Sequence, residues 1–324
     1  MKTTLLFLIT SLVFFNQGSM VYAQNSQKEN TQLIRVYWDN DGLNFRGAGT
    51  DQAYTNGLRL DYFYTKKEKS RFLLNKLMPK AGENSKDIYG WGITQLMYTP
   101  KNIKATEYLE DDYHYAGVLY ATRSLYSYNP VKKYSFQTDL MVGVRGPASL
   151  AEETQSAVHG IIDYQKPMGW DNQLDTKVIV SVDVTYEKQI YSYRQFVELI
   201  GGGEITAGNF INSAKVFTLI RFGKINPYFD GLINQYSRTN KQKKAVNLHF
   251  IVKPEVMFVA HNSLLEDSGR SSQHDLKKYA VSLTSGVVLN VNRFSIAFNQ
   301  NWISPLLEDL YKQEVGNLTL YFNW

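Results

Sequence analysis

Asp41, Thr55 and His159 are the side chains here whose types and placement could together perform hydrolytic chemistry. A histidine titrates near neutrality and can take a proton from water. A carboxylate beside hydroxyl and amide oxygens suits a hard cation such as Ca²⁺. Asp41 closes the group Asp39-Asn40-Asp41, and Thr55 lies in the run Asp51 to Gly57 that brackets the same loop. From spacing alone, a polar rim satisfying strand ends explains these residues equally well. His159 taken alone reads as a surface histidine.

His159 sits on a helix-patterned stretch, Ser149 to Ile162, in a chain otherwise patterned for strands. Ser149-Leu150-Ala151-Glu152 has the form of a capping box, which predicts Ser149 as the N-cap. Leu150, Thr154, Ala157, Val158 and Ile161 share one face, while Glu152, Gln155, Ser156 and His159 share the other. A helix this short is marginal alone, so the apolar face is expected to dock.

The rest of the chain must position that helix. Dyad alternation recurs: Ile34, Val36 and Trp38 on one face, then Leu58, Leu60, Tyr62 and Tyr64, then Val178 through Tyr186. Strands are expected at 32–40, 54–65, 86–99, 114–127, 134–146, 174–190, 192–204, 209–223, 246–260, 277–291, 293–303 and 316–324. The reading is an all-β, twelve-stranded antiparallel transmembrane barrel with a short helix in an extracellular loop. An even strand count puts both ends at the periplasmic side and the segment 147–173 outside. The segments 66–85 and 224–245 become long periplasmic connections. Alternation assigns Asp41 and Thr55 to the lumen-facing register, converging at the barrel mouth.

Composition agrees. Of 324 residues, 23 are tyrosine, which suits aromatic girdles, and the last strand ends on Trp324 with Leu318, Leu320 and Phe322 on one face. No cysteine is present, which excludes disulfides and thiolate metal sites. Residues 1–23 read as a secretory signal, with Lys2, an apolar core from Leu5 to Phe15 and Val21-Tyr22-Ala23 before the cut, leaving 24–324 as the barrel. The formal charge of +5 is diffuse and names no nucleic-acid partner. The clusters Lys66-Lys67-Lys69 and Lys241-Lys243-Lys244 read as solvated turns.

Other motifs carry little. His114, His249 and His274 lack motif partners, and Gly201-Gly202-Gly203 reads as a strand-end loop. His261-Asn262-Ser263 has the spacing of outer-membrane phospholipase A without a second feature of that family. There is no His-Glu-x-x-His, Gly-x-Ser-x-Gly or phosphate loop.

In order along the chain, Asn40-Asp41, Tyr54-Thr55-Asn56-Gly57-Leu58, Tyr98-Thr99-Pro100 and Tyr115-Ala116-Gly117 form a series. It continues through Gly146-Pro147, Gln155, His159, Gly169-Trp170, Gln173 and Gly208-Asn209. The series resembles the outer-membrane lipid A 3′-O-deacylase family over nearly the whole mature chain. The resemblance implies a twelve-stranded barrel that removes the 3′-linked acyloxyacyl chain of lipid A with calcium. It implies His159 as general base, Asp41 and Asn40 as calcium ligands, and Thr55 as an orienting hydroxyl. The family also has a basic residue after the Tyr-Thr/Ser-Pro turn; Lys101 and Lys104 both compete, and Lys104 is taken for it. One departure is Tyr113-His114, where the family usually shows Arg-Pro. The implied partner is lipopolysaccharide in the outer leaflet, met by a monomer. A non-enzymatic channel or adhesion barrel, or a phospholipase using the same residues, stays open.

Overall fold

The computed structural model describes residues 31–45, 52–66, 73–233, 246–266 and 274–324. The expected signal segment, Asp51, and five of the six clustered lysines (all but Lys66) lie outside these residues. Twelve strands form one closed antiparallel barrel, each paired with its sequence neighbours and the last with the first. They are β1 (Gln32–Asn40), β2 (Ala53–Thr65), β3 (Lys86–Thr99), β4 (Ala116–Asn129), β5 (Tyr134–Arg145) and β6 (Lys177–Tyr193). The others are β7 (Val197–Gly208), β8 (Ile211–Gly223), β9 (Val246–Asn262), β10 (Tyr279–Val291), β11 (Phe294–Ile303) and β12 (Gln313–Asn323). The expected strands are all present, with ends displaced by a few residues. Among the described residues two α-helices stand outside the sheet: α1 (Leu73–Leu77) and α2 (Ala151–Ile162).

The period of two along each strand inverts the usual protein. Ile34, Val36, Leu58, Leu60, Trp91, Ile93, Val178 and Val180 face outward and are exposed. Charges face inward, where Asp61 takes Arg35 at 2.7 Å and Arg59 at 2.8 Å, and Lys253 meets Glu255 at 2.9 Å. Closure is direct: Trp38, Val36 and Ile34 stand opposite Leu318, Leu320 and Phe322. Closure leaves the sheet without a free edge, which is the condition for crossing a bilayer with strands.

The two long connections are more than turns. One lies on the outside of the wall. Arg123 on β4 stands opposite outward-facing Trp91 and would be costly against lipid. The α1 segment covers it: Arg123 Nη2 donates to Asn75 Oδ1 at 3.2 Å and Nη1 to Gly90 O at 2.7 Å, with the guanidinium 4.8 Å from the Trp91 ring. The other connection turns into the barrel. Tyr228, Phe229, Leu232 and Ile233 are buried against lumen-facing Leu33, Phe63, Tyr126, Ile200, Leu219 and Tyr321. Arg221 binds Glu198 and donates to Asn226 O at 2.9 Å, and Tyr228 donates to Glu187 at 2.7 Å. The periplasmic end is floored by this segment. Above it lies a polar cavity of about 430 Å³, lined among others by Asp39, Tyr54, Lys215, Lys253 and Glu255.

A floor built this way predicts two results. Planar-bilayer recordings of the wild type should show no steady ionic conductance. Arg221→Ala should cost about 3–5 kcal/mol, because Glu198 is left as an uncompensated buried charge. The temperature at which the folded band is lost in heat-modifiability gels reads that loss.

Candidate active site

The loop helix docks with the face opposite to expectation. Ala151, Gln155 and His159, a ridge at i, i+4 spacing, are buried, whereas Leu150, Val158, Ile161 and Ile162 are exposed. The rule that an apolar face docks holds for a helix in water. Here the small Ala151 fits among Met97, Tyr115 and Trp170 and Gln155 binds Trp170, while the surroundings of the wall are lipid. The capping box does not form either. Ser149 ends a 3₁₀ turn (Pro147–Ser149), Leu150 is the N-cap in the left-handed region at φ 58°, and no side chain caps the helix.

What holds α2 is a set of contacts from the outer face of β3 and β4. Gln95, Met97 and Thr99 alternate with the lumen-facing residues of β3 and continue the outward row of Trp91 and Ile93. Gln95 Nε2 donates to Ser149 O at 2.7 Å. Met97 is buried with Ile103, Tyr115, Ala151 and Trp170. Gly117 of β4 stands opposite Met97, and a Cβ there would collide with Ser149 Oγ and the Ala151 methyl. Trp170 Nε1 donates to Gln155 Oε1 at 2.8 Å and packs 4.8 Å from Tyr115, whose hydroxyl donates to Ile103 O at 3.0 Å. The helix therefore lies against the outside of the barrel wall, near its outer rim.

His159, two turns along the same ridge, is 6% exposed. Its Nδ1 lies 2.6 Å from Gln165 O, and Tyr164 packs edge-on at 5.1 Å. A carbonyl only accepts, so Nδ1 carries the hydrogen and the neutral ring keeps its lone pair on Nε2. That tautomer can accept a proton at Nε2.

The same outer face carries the other residues. Asn40 stands opposite Asn56, Asn56 opposite Met97, and Met97 opposite Gly117, a single row across four strands about 5 Å apart. Asn40 Nδ2 donates to Asn56 Oδ1 at 3.3 Å, and Trp38 Nε1 donates to the same oxygen at 2.9 Å. The lumen-facing expectation for Thr55 is overturned by a bulge. Tyr54 pairs with Tyr98 and Asn56 with Met97, leaving Thr55 as the extra residue. Its Oγ1 lies 2.6 Å from that of Thr99, on the outward row. Tyr54 is turned inward instead, donating to Asp39 at 2.9 Å.

Asp41 leaves the alternation altogether. It begins a 3₁₀ turn, Asp41–Leu43, whose N-cap is Asn40: the Asn40 side-chain oxygen accepts from Gly42 N at 2.9 Å. The turn folds over the outward face of β12 and β11. Leu43 lies over Gly316, its carbonyl accepts from Gln300 at 3.1 Å, and Phe45 packs 5.1 Å from outward-facing Phe298. The Asp41 side chain is buried there.

A family model described as Outer membrane protein LpxR matches residues 6–324. The chain belongs to the LpxR family. LpxR from Salmonella typhimurium shares the fold, with a TM-score of 0.74 at 15% identity over 90% of this chain and 100% of that one. The beta domain of the Bordetella autotransporter Brka covers 91% of this chain and 100% of its own, at 8% identity and a TM-score of 0.48, too low to carry an argument. No curated protein matches the sequence. As a member of the LpxR family the protein is an outer-membrane barrel.

In this LpxR-family chain, Lys104 and Lys101 are both exposed on the loop 100–115. Lys104 directly follows Ile103, which packs in the buried cluster with Ala151 of α2. That loop is strutted from the far side by Tyr311, which donates to Asp112 at 2.5 Å. Burial and then Asp112 push the Tyr311 phenol well above its ordinary range, so it remains a donor. Gln155, Trp170, Tyr115 and Gly117 turn out to be the frame that seats the histidine. Their signal was already present as family motif residues without a role.

The donor set around Asp41 is its own carboxylate and the Asn40 amide oxygen that accepts from Gly42 N, oxygens of the kind a hard cation takes. It is sparse: among the described residues no cluster of three or more His, Asp or Glu side chains forms. A cation there would draw most of its shell from backbone, water or substrate.

Proposed function

We propose that this protein is an ester hydrolase of the outer leaflet that removes the 3′-linked acyloxyacyl chain of lipid A. The observation that carries the reading is His159, buried on the docked ridge of the loop helix, with Nδ1 committed to Gln165 O. A site on that side meets lipid laterally, without passage through the lumen. The resemblance of the motif series to the lipid A 3′-O-deacylase family supplies the substrate.

In the proposed reaction, Nε2 of His159 takes a proton from water as its oxygen adds to the ester carbonyl. The tetrahedral intermediate expels the sugar 3′-oxygen, which receives that proton from the imidazolium. The products are a free sugar hydroxyl and a fatty acid. Thr55 and Asn40 orient water or carbonyl by hydrogen bonds, and Lys104 attracts the anionic headgroup. Asp41, with Asn40, would hold a calcium ion, which would supply Lewis-acid polarisation of the carbonyl. A passive channel is disfavoured by the filled floor of the barrel.

The test is mass spectrometry of lipid A from cells with and without the wild-type protein, across lipid A types bearing a 3′ acyloxyacyl chain. Loss of the mass of that chain is expected, with phospholipids unchanged. Unaltered lipid A with correctly inserted protein sinks the assignment, and cleaved glycerophospholipid replaces it with a phospholipase. Chelation of calcium, or Asp41→Ala, should lower the rate by about 10²-fold or more if the cation stabilises the oxyanion. Restoration by added Ca²⁺ in the wild type but not in Asp41→Ala ties the effect to that carboxylate.

A further inference from the structure

The docked ridge of α2 has two unlike flanks. On one side lie Val158 and Ile161, exposed to 45% and 69%, with Leu150 exposed on the same side. On the other side lie Glu152, Ser156 and Gly160. In water, an uncovered run of that kind is a liability. A helix lying in a membrane interface has this arrangement, apolar toward the acyl chains and polar toward the headgroups and water.

The wall fixes the depth. Gln95, which binds the chain just before the helix, is the next outward residue after Ile93, about 7 Å along the strand. Ile93 is 51% exposed and belongs to the lipid belt with Trp91, Val142 and Val178. The helix thus starts at the upper edge of the belt, where an exposed apolar flank has acyl chains within reach. We infer that the Val158–Ile161 flank of α2 is an acyl-chain docking surface, inserted among the outer-leaflet chains and holding a lipid chain beside His159. The role of that chain as substrate rests on the proposed function; insertion of the flank does not.

The absence of cysteine makes the test clean. Single cysteines are introduced as Val158→Cys, Ile161→Cys, Glu152→Cys and Ser156→Cys and labelled with an environment-sensitive fluorophore. The proteins are reconstituted into phosphatidylcholine vesicles carrying a nitroxide on the acyl chain, with folding checked by heat-modifiable mobility. Labels at 158 and 161 should be quenched about twofold or more by the nitroxide and shielded from aqueous iodide, and those at 152 and 156 the reverse. Equal iodide access at all four positions overturns the inference. So does shielding of 158 and 161 from both quenchers, which would mean that protein, such as a second copy, covers the flank. The readout needs no turnover. Insertion without lipid A cleavage would therefore refute the proposed reaction and leave the docking surface standing.

Discussion

His159→Ala is expected to leave a folded, inserted barrel that no longer removes the acyl chain, with a rate at least about 10²- to 10⁴-fold below wild type. The size follows from the role. Without a base, water must add to the ester as a neutral nucleophile, and nothing on the helix replaces the imidazole. The fold should survive, because the helix is seated through Ala151, the Gln155–Trp170 hydrogen bond and the cluster around Met97, none of which needs the ring. His159→Gln separates base from scaffold, since an amide can fill the space and bond to Gln165 O but cannot take a proton at neutral pH. Its rate should match that of the alanine variant. Lipid A mass spectra at equal amounts of folded protein decide the matter. A glutamine variant near wild-type rate removes His159 from the chemistry and leaves it a structural residue.

The barrel was legible from the chain because a membrane wall imposes one rule on every strand: outward residues match lipid and inward ones match water. That rule survives at Ile34, Val36 and Trp38, and again at Leu318, Leu320 and Phe322, which oppose them. It fails where period two breaks. Thr55 is the extra residue of a bulge, so its phase flips relative to Asp61 and Arg59 on the same strand. Asp41 opens a 3₁₀ turn, where alternation has no meaning. Two single-residue events thus moved the expected site from the lumen to the outside of the wall. The inward-folded floor was equally hidden, since residues 224–233 have no strand or helix period and are held by contacts distant in sequence.

The helix shows a different limit. Its boundaries and its histidine were readable, yet its orientation came out inverted. Amphipathicity reports that two faces differ, not which one meets protein. For a helix on a soluble domain the apolar side has only the core to go to. At the rim of an outer-membrane barrel it has lipid, and Gln155 and His159 have Trp170 and the Gln165 carbonyl.

That geometry makes Gly117→Leu the most damaging change away from the chemistry itself. Gly117 faces outward beneath Ser149 and Ala151, where even a Cβ has no room. A leucine at this register is normal for the wall, since Leu119, the next outward residue, is one. The barrel should fold and insert, but the start of α2 must lift, and His159 with it. Misplacement by about 1 Å can cost on the order of 10²-fold in rate, so the expected loss approaches that of removing the histidine. Ala121→Leu, on the same outward row in open surroundings, is the control and should be silent. The milder Gly117→Ala should lose less, and Ala151→Gly combined with it should recover part of the loss, because the two methyls compete for one space. Coupling between those two positions in a double-mutant cycle would place the helix on the outer wall in the active protein. Additive effects, or a Gly117→Leu protein with wild-type turnover, would mean that the active conformation holds His159 somewhere else.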